Sequence, residues 1–599
     1  MRPGPAAGLW AVLALLAGGA RAQVLPDAAG ATVGQNIQPN AQQNTDPPGS
    51  LSGRVINAVT GGPVRGASVS LVNYQRGGNA QAATTDGGGT FTVASLPPGE
   101  YAVAVNHPGF QGILGLPSPN QLVTVASGQE SSGLTMRLMP GGTLSGKVVD
   151  DGGEPVSGCP VYLLGPGQNG ASAAYSFRGS ASTNDKGEYK LDLLTADRYV
   201  VYARCQEWLP VERPLAVWRP ELIEPRESWL PVFYPDSPSP EGAQWVTVLP
   251  GSELAGIDFH LRATSVTTVS GTIGGIPAGI QPNIQLIPAD AALDAALGYG
   301  ASFDLATSTF RFQMVPPGSY RLIVMTNPSP SQTDSISYAS LFVSVGRARP
   351  APLFVQMRLG ITLTGRVEQP PSADTGNVVM LNSLQSPGRQ TPKAAPLGYL
   401  HFMPLTPSAF ANFRQVEVRH DGTFTVQGLT PGRYKVVPQI ASQQPNSLES
   451  VQFGSTIANH GVIELVEGAS GALTVRMGGS PVLVGASLAD APAGSHGNWT
   501  VFALPVDGSA TAFGQFMTGT GKSGDSVRLQ NTSTGKFAFV AVEMMMAGVV
   551  QIERLNQLLR ERADAVEIVA GLDQTVNPKF FTNDEIEELA MAYLRGEAR

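Results

Sequence analysis

Residues 85–105 read TDGGGTFTVASLPPGEYAVAV, and this stretch decides the fold. Asp86-Gly87 supplies the positive φ of a tight hairpin turn. Phe91 opens a strand. Pro97-Pro98-Gly99 presets one turn residue and frees the next, as a type II turn requires. Tyr101, Val103 and Val105 alternate, which puts one face of a second strand into a core. A polar turn, an aromatic strand, a Pro/Gly turn and a Tyr-led strand are the signature of a small β-domain.

The same order recurs as NDKGEYKLDLLTADRYVVYA (184–203), TSTFRFQMVPPGSYRLIVM (307–325) and HDGTFTVQGLTPGRYKVV (420–437), and in decayed form as DSVRLQNTSTGKFAFVAV (525–542). Upstream of each lies an opening strand: Leu51-Ser-Gly-Arg-Val55, Leu144-Ser-Gly-Lys-Val148, Val269-Ser-Gly-Thr-Ile273, Leu363-Thr-Gly-Arg-Val367 and the degraded Leu483-Val-Gly-Ala-Ser487. Downstream lies a Val-x-Val strand, a Gly turn and a last alternating strand, as in VTVASGQESSGLTMRL (123–138) and VTVLPGSELAGIDFHL (246–261). Openings fall about 90 to 125 residues apart, the size of one small domain. The expectation is an all-β chain of about five tandem β-sandwiches in an elongated array. The sandwiches are 50–140, 141–263, 264–359, 360–478 and a degenerate fifth at 479–581, with a short C-terminal helix at 582–599.

Composition agrees. The 599 residues include 70 Gly and 48 Pro, about a fifth of the chain, against about 12% on average. Both break helix interiors, and the Gly has no three-residue period, so helical bundles and collagen are excluded. Hydrophobic residues at 42% supply ample core material.

The run LSGRV…PVRGASVSLVN…TTDGGGTFTVASLPPGEYAVAVNHPGF (51–110) resembles the carboxypeptidase regulatory-like domain. The resemblance is close in copies one and two, clear in four, looser in three and poor in five. It implies a seven- or eight-stranded prealbumin-like or Ig-like sandwich, related in shape to Cna-B repeats and to the starch-binding-domain-like, carbohydrate-binding-like fold. Residues 230–261 look like a recurring element of secreted multi-repeat proteins of this family in environmental bacteria. Such modules accompany enzymes, receptors and surface proteins and are not themselves catalytic, so the resemblance implies no activity. Cna-B relatives often carry a Lys–Asn crosslink. Here the corresponding Lys147 alternates to the face opposite Val148 and reads as an exposed lysine.

The N-terminus reads as an export signal at 1–22. Arg2 is followed by the apolar run Leu9 to Leu16 and the cleavage site Ala20-Arg21-Ala22. Residues 23–49, rich in Gln and Asn, read as a disordered leader. No later segment is long and apolar enough to span a bilayer. The net charge of −8 argues against nucleic acid as a partner. The expected location is the periplasm, the outer surface or the medium of a bacterium.

Cys159 opens the run CPVYLL and Cys205 closes the run YVVYARC. They are either a candidate disulfide, should those strands be antiparallel neighbours, or two buried thiols.

Chemistry-bearing motifs are few. The six His show no HxxE or HExxH spacing for a metal, His260 falls on a strand's solvent face, and His420 belongs to a turn. Gly519-Thr-Gly-Lys-Ser523 lacks the leading glycine of a phosphate loop, because position 516 is Phe516. Asp86 and Asp185 sit in Gly-rich turns without EF-hand spacing and read as hairpin turns before calcium ligands. No catalytic, metal or cofactor site is expected. Four of the six Trp, Trp208, Trp218, Trp229 and Trp245, fall within one stretch of copy two with Tyr234 among them. These are the candidate carbohydrate-stacking residues. The competing reading packs them against the sandwich.

Residues 549–565 carry helical spacing. Thr582 with Glu585 forms a capping box, and the helix it starts either caps the last domain or docks a partner. The chain is thus read as a non-catalytic exported binding or scaffold protein, its candidate partners a polysaccharide or another cell-envelope protein. The alternative is a purely structural spacer for a cell-envelope enzyme or outer-membrane receptor.

Overall fold

The three sequence signals of each copy become three neighbouring strands of one sheet. In copy one the opening strand Gly49–Asn57 pairs antiparallel with Thr90–Leu96 and parallel with Glu130–Pro140. Copy three repeats this with Thr267–Gly274 between Thr309–Val315 and Leu353–Gln356, and copy four with Ile361–Glu368 between Thr423–Leu429 and Ala472–Gly478. In copy two Gly142–Val149 lies beside Glu188–Leu194, and its parallel partner is split into Glu253–Leu254 and Phe259–His260. Copy five keeps only a short version, Leu483–Ser487 between Ser526–Arg528 and Asp573–Val576.

The Tyr-led strand occupies the interior of the opposite sheet. Gly99–Asn106 pairs on both sides, with Ser68–Asn73 and Asn120–Val125. Gly318–Met325, Gly432–Ile440 and, in copy five, Gly535–Glu543 do the same. Between each pair of sheets lies one apolar core. This computed structural model describes residues 46–597, apart from 74–80, 115, 117–119, 167–174, 206–226, 278, 290–297, 327–335, 370–395, 406–412, 441–446, 459–460, 479–482, 493–497, 507–516, 530–533 and 570. The export signal, nearly all of the leader, Trp208 and Trp218 lie outside the described residues. The first strand begins at Gly49, the last residue assigned to the leader.

The recurrent tyrosine has a specific purpose. Its hydroxyl reaches back four residues and donates to the carbonyl of the turn: Tyr101 to Pro97 (2.8 Å), Tyr199 to Thr195 (2.6 Å) and Tyr320 to Pro316 (2.9 Å). Tyr434 bonds Thr430 at the same spacing. The ring fills the core and the hydroxyl holds the turn that starts its own strand. Copy five has Phe537 here, and its Pro-Pro-Gly turn is gone as well. Replacing Tyr320 with Phe leaves the Pro316 carbonyl unpaired in a buried turn. The expected loss is about 1 kcal/mol, read as a lower calorimetric transition for the third sandwich, while Phe537→Tyr gains nothing.

A second shared device is a bulge just before that turn. Ser95, Leu193 and Met314 have left-handed φ of 57°, 57° and 55°, and copy four places Gly428 there. In all four of these copies the register against the opening strand shifts beside the bulged residue, as an inserted residue requires.

The expected helix at 549–565 is divided. Met544–Gln551 forms 3-10 turns, α1 spans Glu553–Glu561, and Ala565–Ile568 is already a strand. Gly548, Val549 and Val550 are poor helix formers, and Val549 and Val550 are buried, so packing sets the backbone there. Helix α2 spans Asn583–Arg595 with the capping box as read: Glu585 N–H donates to Thr582 Oγ1 and Thr582 N–H to Glu585 Oε2. Gly596 closes it in the left-handed conformation. Ile586, Ala590 and Leu594 are buried, but not in the fifth sandwich alone. Their cluster also contains Ile113 and Leu116 of sandwich one and Ala196 of sandwich two. Sandwiches that are tandem in sequence therefore touch out of sequence.

Candidate functional site

Copy two carries the candidate site. Its Tyr strand, Asp197–Ala203, is buried along almost its whole length, unlike the alternating, half-buried strands of copies one and four. A strand buried on both faces needs a second cover. The cover is the segment after the insert. Val232–Phe233 and Val246–Val248 pair with this strand, and a second apolar cluster forms on the outer face from Leu164, Val200, Tyr202 and Phe233.

The aromatic rings fall into place around this cover. Trp229 ends the short strand Glu227–Trp229, is 8% exposed and belongs to the main core of the sandwich. Tyr234 is half-buried and meets Phe259 edge-on at 6.4 Å. Trp245 is half-buried, with one face stacked on Tyr175 (5.6 Å, 17°) and the Arg198 guanidinium 5.6 Å from its ring centre. Each described member of the cluster thus has an aromatic or core neighbour within the sandwich.

A file of rings missed in the sequence runs beside them. Tyr162 stacks on Tyr202 (5.0 Å, 17°), Tyr202 on Phe233 (5.0 Å, 22°), and Phe177 meets Tyr162 edge-on. These rings stand side by side across neighbouring strands, each covering the next. The uninterrupted apolar run YVVYA was the signal for a doubly buried strand. Burial also pushes the Tyr202 hydroxyl up to about 12.

Cys159 and Cys205 are joined in a disulfide with Cα atoms 4.7 Å apart, and both are buried. The register Val161↔Ala203 brings the start of one strand beside the end of the other. Next to it, Thr183 Oγ1 accepts from Cys159 N–H (2.9 Å) and donates to the Val156 carbonyl (2.6 Å). Thr85 does the same between Ala67 and Val64 in copy one.

The acidic turn residues are spent locally. Asp86 accepts from Gly88 N–H, Thr90 N–H and the Thr90 hydroxyl. The Thr90 bonds hold its carboxyl below the usual range. The matching residue in copy two is Asn184, bonded to Lys186 and Glu188 N–H, one position before Asp185. In copy four Asp421 accepts from the N–H and the hydroxyl of Thr423, two residues on. Lys147 is exposed and pairs with Glu188 at 3.1 Å. His260 is exposed and His420 lies in its turn. Gly519 to Lys522 belong to the strand Met517–Lys522, and Lys522 Nζ lies 3.4 Å from Glu100 of sandwich one. No group of three or more His, Cys, Asp or Glu converges among the described residues. No described helix is long and apolar enough to cross a membrane.

No curated protein sequence matches the chain. Among solved structures it is similar to the Bacillus anthracis TIE protein, with 14% identity over 52% of this chain and 51% of that one, at a TM-score of 0.16. It is also similar to GBS52, the minor pilin of Streptococcus agalactiae (12% identity, 38% of this chain, 99% of that one, TM-score 0.21). The shaft pilin SpaA of Lactobacillus rhamnosus GG is a third (11%, 37% and 100%, TM-score 0.19). The chain spans about half the length of the first of these. Residues 50–138, the first sandwich with its opening strand, Asp-Gly turn and Tyr-led strand, match the family model of the carboxypeptidase regulatory-like domain.

Proposed function

We propose that the chain is an exported, non-catalytic structural protein of the cell envelope, a set of five sandwiches that spaces or presents another protein. One observation carries this reading. The polar groups that recur from copy to copy are engaged with the fold itself. The Tyr hydroxyls hold turns, Thr85 and Thr183 bridge backbone, and Asp86, Asn184 and Asp421 close their own hairpins. What repeats is architecture, and conserved chemistry aimed at a ligand is not what the repeat preserves. Export is supported by the apolar run 9–16 with its Ala-Arg-Ala site. It is also supported by the Cys159–Cys205 pairing, which persists in oxidising compartments.

The test is a glycan array and a broad hydrolase panel run on the mature protein. The expected result is no retention and no turnover. Retention on a polysaccharide that is lost in Trp218→Ala or Trp245→Ala would replace this reading with a carbohydrate-binding one, and turnover of any substrate would replace it with an enzyme.

A further inference from the structure

One residue of copy two departs from the repeat in a way its own sandwich does not use. Where copies one, three and four carry Gly99, Gly318 and Gly432 before the Tyr, copy two carries Asp197. The turn does not need a carboxylate, since three copies fold without one. Asp197 is nevertheless 3% exposed. Its oxygens take both terminal nitrogens of Arg554, at 2.5 and 3.2 Å, and it also accepts from Arg198 N–H. Arg554 comes from α1, 357 residues further along, and its guanidinium lies 5.8 Å from the Tyr593 ring of α2.

The surroundings of this pair are shared by three sandwiches. Leu114 of sandwich one donates its N–H to the Ala196 carbonyl of sandwich two (2.8 Å). Over that joint lies an apolar cluster in which Leu555 and Leu559 of α1 and Ile586 and Leu594 of α2 are buried. Glu587 of α2 lies in the field of Arg137 of sandwich one, while burial and the neighbouring Asp584 push its carboxyl up.

We infer that the joined turn ends of sandwiches one and two form an interaction surface whose occupant is the chain's own C-terminal helical pieces, Met544–Glu561 and Asn583–Arg595. Asp197 is the polar key that sets their register there. Together they form a clasp. Apolar burial drives it on, and the ion pair admits one seating, because any other leaves a charge buried and unpaired. Through the clasp, the angle between sandwiches one and two is fixed by residues from the far end of the sequence. This stands independently of what the array presents.

Hydrogen exchange on the full chain tests it. The variants are Asp197→Gly, which installs the residue of the other copies and so keeps the turn foldable, Arg554→Met, and both together. Each single variant leaves one buried charge unpaired. The expected result is an acceleration of about 100-fold for the amides of residues 586–594 and of Leu114. The Tyr strands of sandwiches three and four stay unchanged. The double variant, with both charges gone, accelerates exchange less than either single one. The inference is overturned if the single variants leave these amides alone, if they speed exchange uniformly through the core strands of sandwich two, or if the two effects simply add.

Discussion

Replacing Cys159 and Cys205 together by Ala lowers the stability of the second sandwich by about 4 kcal/mol. The bridge closes a loop of 46 residues. Chain entropy released in the unfolded state over a loop of that length accounts for about 4 kcal/mol at 25 °C. Both sulfurs are also buried in the core beside Val161 and Ala203, so substitution removes packing as well. The two cysteines enclose Pro160–Pro166, Tyr175–Ser182, Glu188–Leu194 and the Tyr strand Asp197–Ala203. Without the bridge only the backbone ladder and apolar contact hold Pro160–Pro166 to the Tyr strand. Calorimetry on the mature protein reads the effect as one transition moving down by roughly 15 °C, while those of sandwiches three and four hold. Reduction of the unaltered protein gives the same shift, and thiol titration finds two groups only after reduction. A transition that does not move on reduction would remove the bridge from the account.

The parts of the fold that were legible are those written in local chemistry. Asp86 and Pro97 to Gly99 specify turns whatever surrounds them, and the alternation of Tyr101, Val103 and Val105 specifies a half-buried strand. What stayed illegible depends on partners far away in sequence. TADRY reads as a worn copy of PPGEY until Arg554 is seen beside Asp197, because a single Asp in a turn is also what an ordinary hairpin carries. Asn184 and Asp185 could not be told apart as the turn-closing residue, since both side chains suit the motif. The helical spacing of 549–565 mixed two signals. Leu555 and Leu559 are truly helical, whereas Val549 and Val550 are buried by neighbours of the fifth sandwich and of sandwiches one and two. The Trp cluster was visible as composition, but composition does not say which way a ring faces. Trp245 stacks on Tyr175 and Tyr234 meets Phe259 edge-on, contacts that no composition count contains.

Replacing Gly365 with Ala destabilises the fourth sandwich by about 3 kcal/mol, and the matching change in the fifth does nothing of the kind. In each of the first four copies the glycine of the opening strand sits directly across from the aromatic of the next signal: Gly53 from Phe91, Gly146 from Tyr189, Gly271 from Phe310 and Gly365 from Phe424. In copies one, three and four the ring leans over the bare Cα, and in all four the backbone of the parallel strand's segment closes in. A methyl group on Gly53 would stand 2.6 Å from the Leu134 carbonyl oxygen and 2.8 Å from the Phe91 ring, and one on Gly365 would strike the Leu473 carbonyl and the Phe424 ring. A ring can tilt, but a carbonyl in a sheet ladder cannot move without breaking the ladder. The cost therefore falls at the upper end of the range for overpacking. Phe424→Ala does not rescue Gly365→Ala, because the Leu473 carbonyl remains and the core has lost a buried ring. Copy five supplies the control. Gly485 faces Arg528 rather than an aromatic, and a methyl group there meets nothing nearer than Thr575 Oγ1 at 3.5 Å. Gly485→Ala is expected to change stability by no more than about 0.5 kcal/mol, or to raise it slightly by restricting the unfolded chain. Equal losses at Gly365 and Gly485, measured in the full chain by denaturant titration with domain-resolved hydrogen exchange, would show that the glycine serves the strand and not the ring above it. The expected inequality ties the glycine to its aromatic partner. Copy five then keeps the glycine after the ring that required it has gone, and the two signals that recur most faithfully in this sequence are the two halves of one contact.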